Sequence, residues 1–135
     1  MPKKLPYKHC TSVQGAIGEL RTIMKVIQEG WIIYQPLVDV DGCDMIAERD
    51  GILRKLQVKF HTTSGNSETS IIVYLNDKNV NADFIAIPIE RPELDINEVI
   101  FVPYKGQQTL SIAFDKAHNN QKKGRRWYKD YLDLY

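Results

Sequence analysis

Apolar residues recur at intervals of three and four along the run from Val13 to Gln28: Val13, Ala16, Ile17, Leu20, Ile23, Met24 and Ile27. That spacing returns each side chain to one face per helical turn, so it predicts an amphipathic helix. Thr11 or Ser12 can cap its start and Gly30 supplies its stop. Gly15 and Gly18 work against it, since each costs about 1 kcal/mol relative to Ala in a helix interior. Their lack of a side chain also lets a neighbouring chain segment come close.

After Gly30 the period changes to two. Trp31 to Leu37 reads as a strand that Pro36 pushes toward an edge or an early end. Cys43 to Arg49 reads as a second, and Asp50-Gly51 is a two-residue hairpin signal leading into a third, Ile52 to Phe60. In that third strand Leu56, Val58 and Phe60 alternate with Lys55, Gln57 and Lys59, which predicts one buried and one polar face. His61 to Thr69 is a loop of mostly small polar residues. Ser70 to Leu75, Asp83 to Ile89, Glu98 to Tyr104 and Thr109 to Phe114 are rich in Ile, Val, Phe and Tyr and read as further strands. The tail from Gln121 to Tyr135 interleaves bases with aromatics and reads as a short helix. The expected architecture is α/β in composition, of the α+β kind: a helix, then a β-meander, in a mixed, mostly antiparallel central sheet.

Length and composition agree with one domain over residues 1–135, its core at about 12–114 and a basic aromatic segment at 115–135. The 135 residues are 43% hydrophobic, an ordinary globular fraction that excludes a disordered chain. The longest apolar runs, such as Trp31 to Tyr34, fall far short of the roughly 18 residues a membrane span needs, and no apolar signal stretch follows the basic start. The expectation is a cytoplasmic protein without a membrane partner. Cys10 and Cys43 have no CxxC spacing and are expected to be free thiols.

Charge changes the picture of partners. The total is +1, yet residues 1–9 carry +3, residues 116–135 carry +4 and the span between carries −6. Basic ends flanking an acidic middle suit a polyanion that also needs a cation at the centre. In the tail, Lys122, Lys123, Arg125 and Arg126 are candidates for phosphate contacts, and Trp127 or Tyr128 could stack on a base or pack onto the sheet.

The candidate chemistry lies in Gly18-Glu19-Leu20, Gly42-Cys43-Asp44-Met45-Ile46 and Leu56-Gln57-Val58-Lys59. Phosphodiester hydrolysis calls for a hard cation, and such ions take carboxylate and carbonyl oxygens. Glu19 and Asp44 offer carboxylates, while the Gln57 amide oxygen and the Val58 carbonyl offer two further ligands. Lys59, two residues beyond Gln57 and on its face, can orient attacking water or stabilise developing charge.

In this arrangement the sequence resembles the PD-(D/E)XK nuclease superfamily, in which a helix carries a Glu, the second strand an Asp and the third strand (D/E)XK. Glu19, Asp44 and Gln57-Val58-Lys59 occupy those places, and Gly42-Cys43 stands where a proline often precedes the Asp. Gln57 replaces the acid, as in a QxK subgroup resembling the intron-encoded homing endonucleases of cyanobacteria. The run Gly30-Trp31, Pro36, Asp44-Met45-Ile46, Gly51 and Leu56 to Lys59 is similar to that subgroup. The resemblance covers about residues 15–60. It implies a restriction-endonuclease-like core and a Mg2+- or Mn2+-dependent endodeoxyribonuclease. Glu19, Asp44, Gln57 and Lys59 would be catalytic, and Glu19, Asp44, Gln57 and Val58 the metal ligands. DNA is the implied partner. Because one site cuts one strand, a homo-oligomer, dimer or tetramer, is implied for duplex cleavage.

Each residue also has an ordinary reading. Glu19 can be a helix-edge carboxylate near Arg21 or Lys25, Asp44 a strand-entry residue, and Gln57 and Lys59 the solvated face of a hairpin. Two functional alternatives stay open: a Holliday-junction resolvase of the same fold, and a nucleic-acid-binding module whose metal site has decayed. Asp39 to Asp50 is no calcium loop, since glycine falls at the fourth place and the twelfth residue is not Glu. His9, His61 and His118 lack metal spacing. Neither GxxxxGK[ST] nor GxGxxG occurs, so nothing in the sequence supports a phosphate-loop nucleotide hydrolase.

Overall fold

In a computed structural model, residues 11–38, 42–60, 69–75, 80–115 and 126–135 are described. The helix α1 runs Thr11–Gln28. It ends at Gly30, whose φ of 90° is the left-handed conformation a helix terminus uses, and the Trp31 N–H closes back on the Val26 carbonyl at 3.1 Å. Three strands follow as a meander: β1 Ile32–Tyr34, β2 Met45–Arg49 and β3 Ile52–Val58, each antiparallel to the next. Asp50 and Gly51 both take positive φ, 53° and 79°, as a tight hairpin turn between right-twisted strands requires. The first strand stops before Pro36.

Past β4 Ser70–Tyr74 the chain enters β5 Phe84–Arg91, which pairs in parallel with β3, and then β6 Ile96–Pro103, antiparallel to β5. The resulting sheet has the order β1-β2-β3-β5-β6. Pro88 is tolerated inside β5 because the pairing with β3 ends at Ala86, so its missing N–H costs no ladder bond there. A second sheet, β4-β7-β8, adds β7 Thr109–Ala113 and β8 Arg126–Trp127. This is the expected α+β architecture. The tail differs from expectation: its described part is a two-residue strand and a single 3-10 turn, Tyr128–Tyr131, in place of a helix. Its apolar residues anchor it instead, for Tyr128 and Leu134 are buried and Tyr135 packs edge-on against Trp31.

Strand alternation makes the five-stranded sheet apolar on both faces. Met45, Ala47, Leu56, Val58, Ala86, Val99 and Phe101 form a core with Val26 and Trp31, on the side of α1. Ile85, Ile87, Ile89, Ile100 and Val102 face the other way, onto Ile71, Val73, Leu110 and Ile112 of the second sheet. Among the described residues no helix is long and apolar enough to cross a membrane.

α1 sits on the sheet in an unexpected way. Thr22 and Val26 are fully buried and Ile23 packs partly against the core, but Ile17, Leu20, Met24 and Ile27 remain 46–62% exposed. Close approach on the inner side explains this. Gly18 lies against Phe60, and a Cβ there would come within 3.0 Å of the Phe60 ring. Thr22 hides its hydroxyl by donating to the Gly18 carbonyl at 2.9 Å. Small residues therefore face inward and the large apolar stripe faces outward.

Gly18→Val should force α1 away from the end of β3 and destabilise the fold by about 1–3 kcal/mol, the usual cost of overpacking. Chemical denaturation checks this, and an unchanged midpoint would contradict the contact.

Candidate active site

Asp44 immediately precedes β2, and its backbone extends the ladder, donating to the Leu56 carbonyl at 2.8 Å. β3 runs on past this point while β2 does not, so the next donor of β3 would lack a strand partner. Asp44 supplies one through its side chain: the Val58 N–H donates to Asp44 Oδ2 at 2.8 Å. On the opposite edge of β3 the Lys59 N–H donates to the Ala86 carbonyl at 2.9 Å. A residue in an extended strand turns its N–H and C=O to the same side. The Val58 carbonyl therefore points to the flank that holds the Asp44 carboxylate.

Alternation settles the faces. Leu56 and Val58 enter the helix-side core, and Gln57, paired with Ile85, takes the other face. Glu19 arrives from a different layer. Its neighbour Gly18 is pressed against Phe60, one residue past Lys59, so the helical turn carrying Glu19 lies at the same end of β3. Glu19, Asp44, Gln57 and Lys59 are all half-buried, and Glu19, Asp44 and Lys59 each engage in a polar or electrostatic interaction.

Gln57 Oε1 is buried and has no hydrogen-bond partner. A buried acceptor left unpaired costs about 1–3 kcal/mol, a cost a fold retains where something else supplies the partner. An amide oxygen is a suitable ligand for a hard cation and cannot serve a soft one well. Among the described residues no three His, Cys, Asp or Glu side chains gather at metal-binding spacing. With Gln57 in place of an acid, a cation here would draw on two carboxylates, one amide and one backbone carbonyl.

Reading the sequence alone missed the clamp that sets the register of this region. The Lys55 N–H donates to Asp83 Oδ2 and Lys55 Nζ to Asn81 Oδ1, both at 2.8 Å, while the Asn81 N–H donates to the Gly42 carbonyl at 2.9 Å. Residues just before β5 thus tie β3 to the turn before Asp44. Their signal was an Asn-x-Asp run of unremarkable loop composition. Beside the clamp is a hollow of about 290 Å3 lined in part by Tyr34, Pro36, Cys43 and Ile46. Burial pushes the Cys43 thiol up from its usual value, against weaker lowering by backbone hydrogen bonds. It stays protonated near neutral pH and is a poor ligand in that state.

The predicted nucleic-acid contacts are only partly in view. Lys122, Lys123 and Arg125 lie outside the described residues, as do His9, His61, His118 and Cys10. Arg126 and Trp127 form β8, alongside Ile112 and Ala113. Trp127 packs against the core of the second sheet with Lys129 Nζ 5.7 Å from its ring centroid, and Tyr128 is buried edge-on to Phe114. Of the two open roles for these rings, Tyr128 takes the packing one.

A family profile described as PD-(D/E)XK endonuclease matches residues 9–131. Among solved structures, a bacterial homing endonuclease, I-Ssp6803I, is similar at a TM-score of 0.65 and 22% identity, covering 84% of this chain and 83% of that one. No curated protein matches the sequence.

Asp44→Ala leaves the Val58 N–H unpaired and should cost about 1–3 kcal/mol, whereas Asp44→Asn keeps an acceptor and should cost well under half of that. Denaturation midpoints of the two variants check this; equal losses would contradict a structural role for the bond.

Proposed function

The chain belongs to the PD-(D/E)XK endonuclease family, and we propose that it hydrolyses DNA phosphodiester bonds with the help of a divalent cation held at the open flank of β3. The observation that carries this reading is the orphaned, buried Gln57 Oε1, one residue before Val58, whose own N–H is held by the Asp44 carboxylate. Glu19, Asp44, Gln57 and Val58 would hold the ion. Mg2+ or Mn2+, when bound, supplies positive charge against the phosphate and favours in-line displacement by water. Lys59 orients that water and balances charge as it develops on the phosphate oxygens. Gln57 brings no charge, so the site holds one ion well and a second poorly.

The likeness to a homing endonuclease makes linear duplex DNA the first substrate to try, with four-way junctions as the test of a resolvase. Lys122, Lys123, Arg125 and Arg126 would contribute the electrostatic grip. Cutting both strands needs at least two copies, since each chain carries one site.

Asp44→Asn and Lys59→Ala should fold and lose cleavage by about 100-fold or more, the scale of removing one preorganised electrostatic group. Full cleavage by either purified variant would sink the assignment. Gln57→Glu adds a charge to the ion site and should tighten Mg2+ binding by about tenfold, or about 1.4 kcal/mol, in calorimetric titration. No metal-dependent heat with either protein would favour the binding module.

Replacing Lys122, Lys123, Arg125 and Arg126 together by Gln should weaken DNA binding and flatten its salt dependence by up to about 0.9 per lost phosphate contact. Substitution is the right probe because deleting the tail would also remove Tyr128 and Leu134 from the cores. An unchanged salt slope would place the grip elsewhere.

A further inference from the structure

The outward stripe of α1 is the feature the cleavage reading leaves unused. Ile17, Leu20, Met24 and Ile27 are 46%, 62%, 59% and 55% exposed. An amphipathic helix on a monomer turns such a stripe inward, and this one turns Gly18, Thr22 and Val26 inward instead. At roughly 100 Å2 of exposed side chain each, the four residues present about 400 Å2 of apolar surface on one helix face, in the range of the largest patches on monomers, which are often functional.

We infer that this face pairs with the same face of a second copy, the two α1 helices running antiparallel across a two-fold axis. Three observations favour that occupant. The stripe positions are separated by three, four and three residues, a series that reads the same from either end. About an axis at the level of Thr22, Ile17 of one copy meets Ile27 of the other and Leu20 meets Met24, as an isologous interface requires. The spacing is also that of a coiled-coil seam, in which such side chains interlock.

The charges flanking the stripe are engaged with their own chain. Arg21 donates to Asn97 Oδ1 at 2.6 Å and to the Ile89 carbonyl at 3.3 Å, and Lys25 reaches Glu29 at 3.3 Å and Glu98 at 3.5 Å. An uncharged seam has no means of recognising a polyanion or an acidic peptide. The buried area fits as well. The 18-residue helix is about 27 Å long. With exposed Ala16 and Gln28 on its rim, it approaches the ~600 Å2 per partner of the smaller specific interfaces.

This deepens the cleavage reading, which needs two copies, by naming the surface that joins them. Its test uses neither DNA nor metal, so a failure here is separable from a failure of catalysis. Sedimentation velocity of the full chain should give a two-copy or four-copy mass at tens of micromolar. Met24→Glu should halve that mass while leaving the far-ultraviolet dichroism unchanged. Leu20→Lys combined with Met24→Glu should restore it, because the antiparallel register sets Lys against Glu. A wild type that stays monomeric at ~200 µM, or a Met24→Glu variant that keeps its mass, would overturn the proposal. So would a Met24→Glu variant that unfolds, since the stripe would then be covered by its own chain. A double variant that does not reassociate would overturn the register.

Discussion

One hydrogen bond organises the site: the Val58 N–H donating to Asp44 Oδ2 at 2.8 Å. β3 extends beyond its partner on one side, and a strand cannot end there with a bare donor facing the interior. A carboxylate answers that need and brings negative charge to the place where the Val58 carbonyl also points. The same stagger that costs β2 and β3 a backbone pair makes an oxygen-rich flank. The structural role of Asp44 and its proposed chemical role therefore rest on one geometry. The Asn variant separates them because it keeps the acceptor and drops the charge.

The remaining layers hold that flank in position. β5 closes the other side of β3 in parallel, Asn81 and Asp83 pin Lys55 and the turn at Gly42, and the missing side chain of Gly18 lets α1 settle against Phe60. Glu19 rides on that settled helix. Gln57 keeps an unsatisfied buried acceptor on the central strand, where Arg54 Nε and, on β5, Arg91 Nη2 are unsatisfied donors; such local inconsistency is expected at a functional position.

Most strand positions were legible because the sheet is apolar on two faces and its turns use residues with one conformational meaning. Asp50-Gly51 fixed the hairpin, and the hairpin fixed how Asp44 faces Gln57 and Val58. The shared face of Gln57 and Lys59 was legible for the same reason, through strand alternation. The direction of the helix was not. Periodicity tells that a stripe exists, but not whether the chain itself or another surface covers it; of the two helix glycines that suggested a close approach, Gly18 meets Phe60, whereas Gly15 has open space where a side chain would stand. The tail misled because interleaved bases and aromatics suit a helix, whereas burial of Tyr128 and Leu134 governs its path. The clamp from Asn81 and Asp83 was invisible because it joins residues 26 and 28 positions apart from Lys55.

The most direct measurement is a crystal structure with Mn2+ present, read by anomalous scattering. The predicted result is one ion at the β3 flank, with an Asp44 oxygen, Gln57 Oε1 and the Val58 carbonyl at about 2–2.6 Å and the Glu19 carboxylate completing the protein ligands. An ion bound elsewhere, or Glu19 and Asp44 carboxylates held more than about 8 Å apart with Mn2+ at saturation, would contradict it.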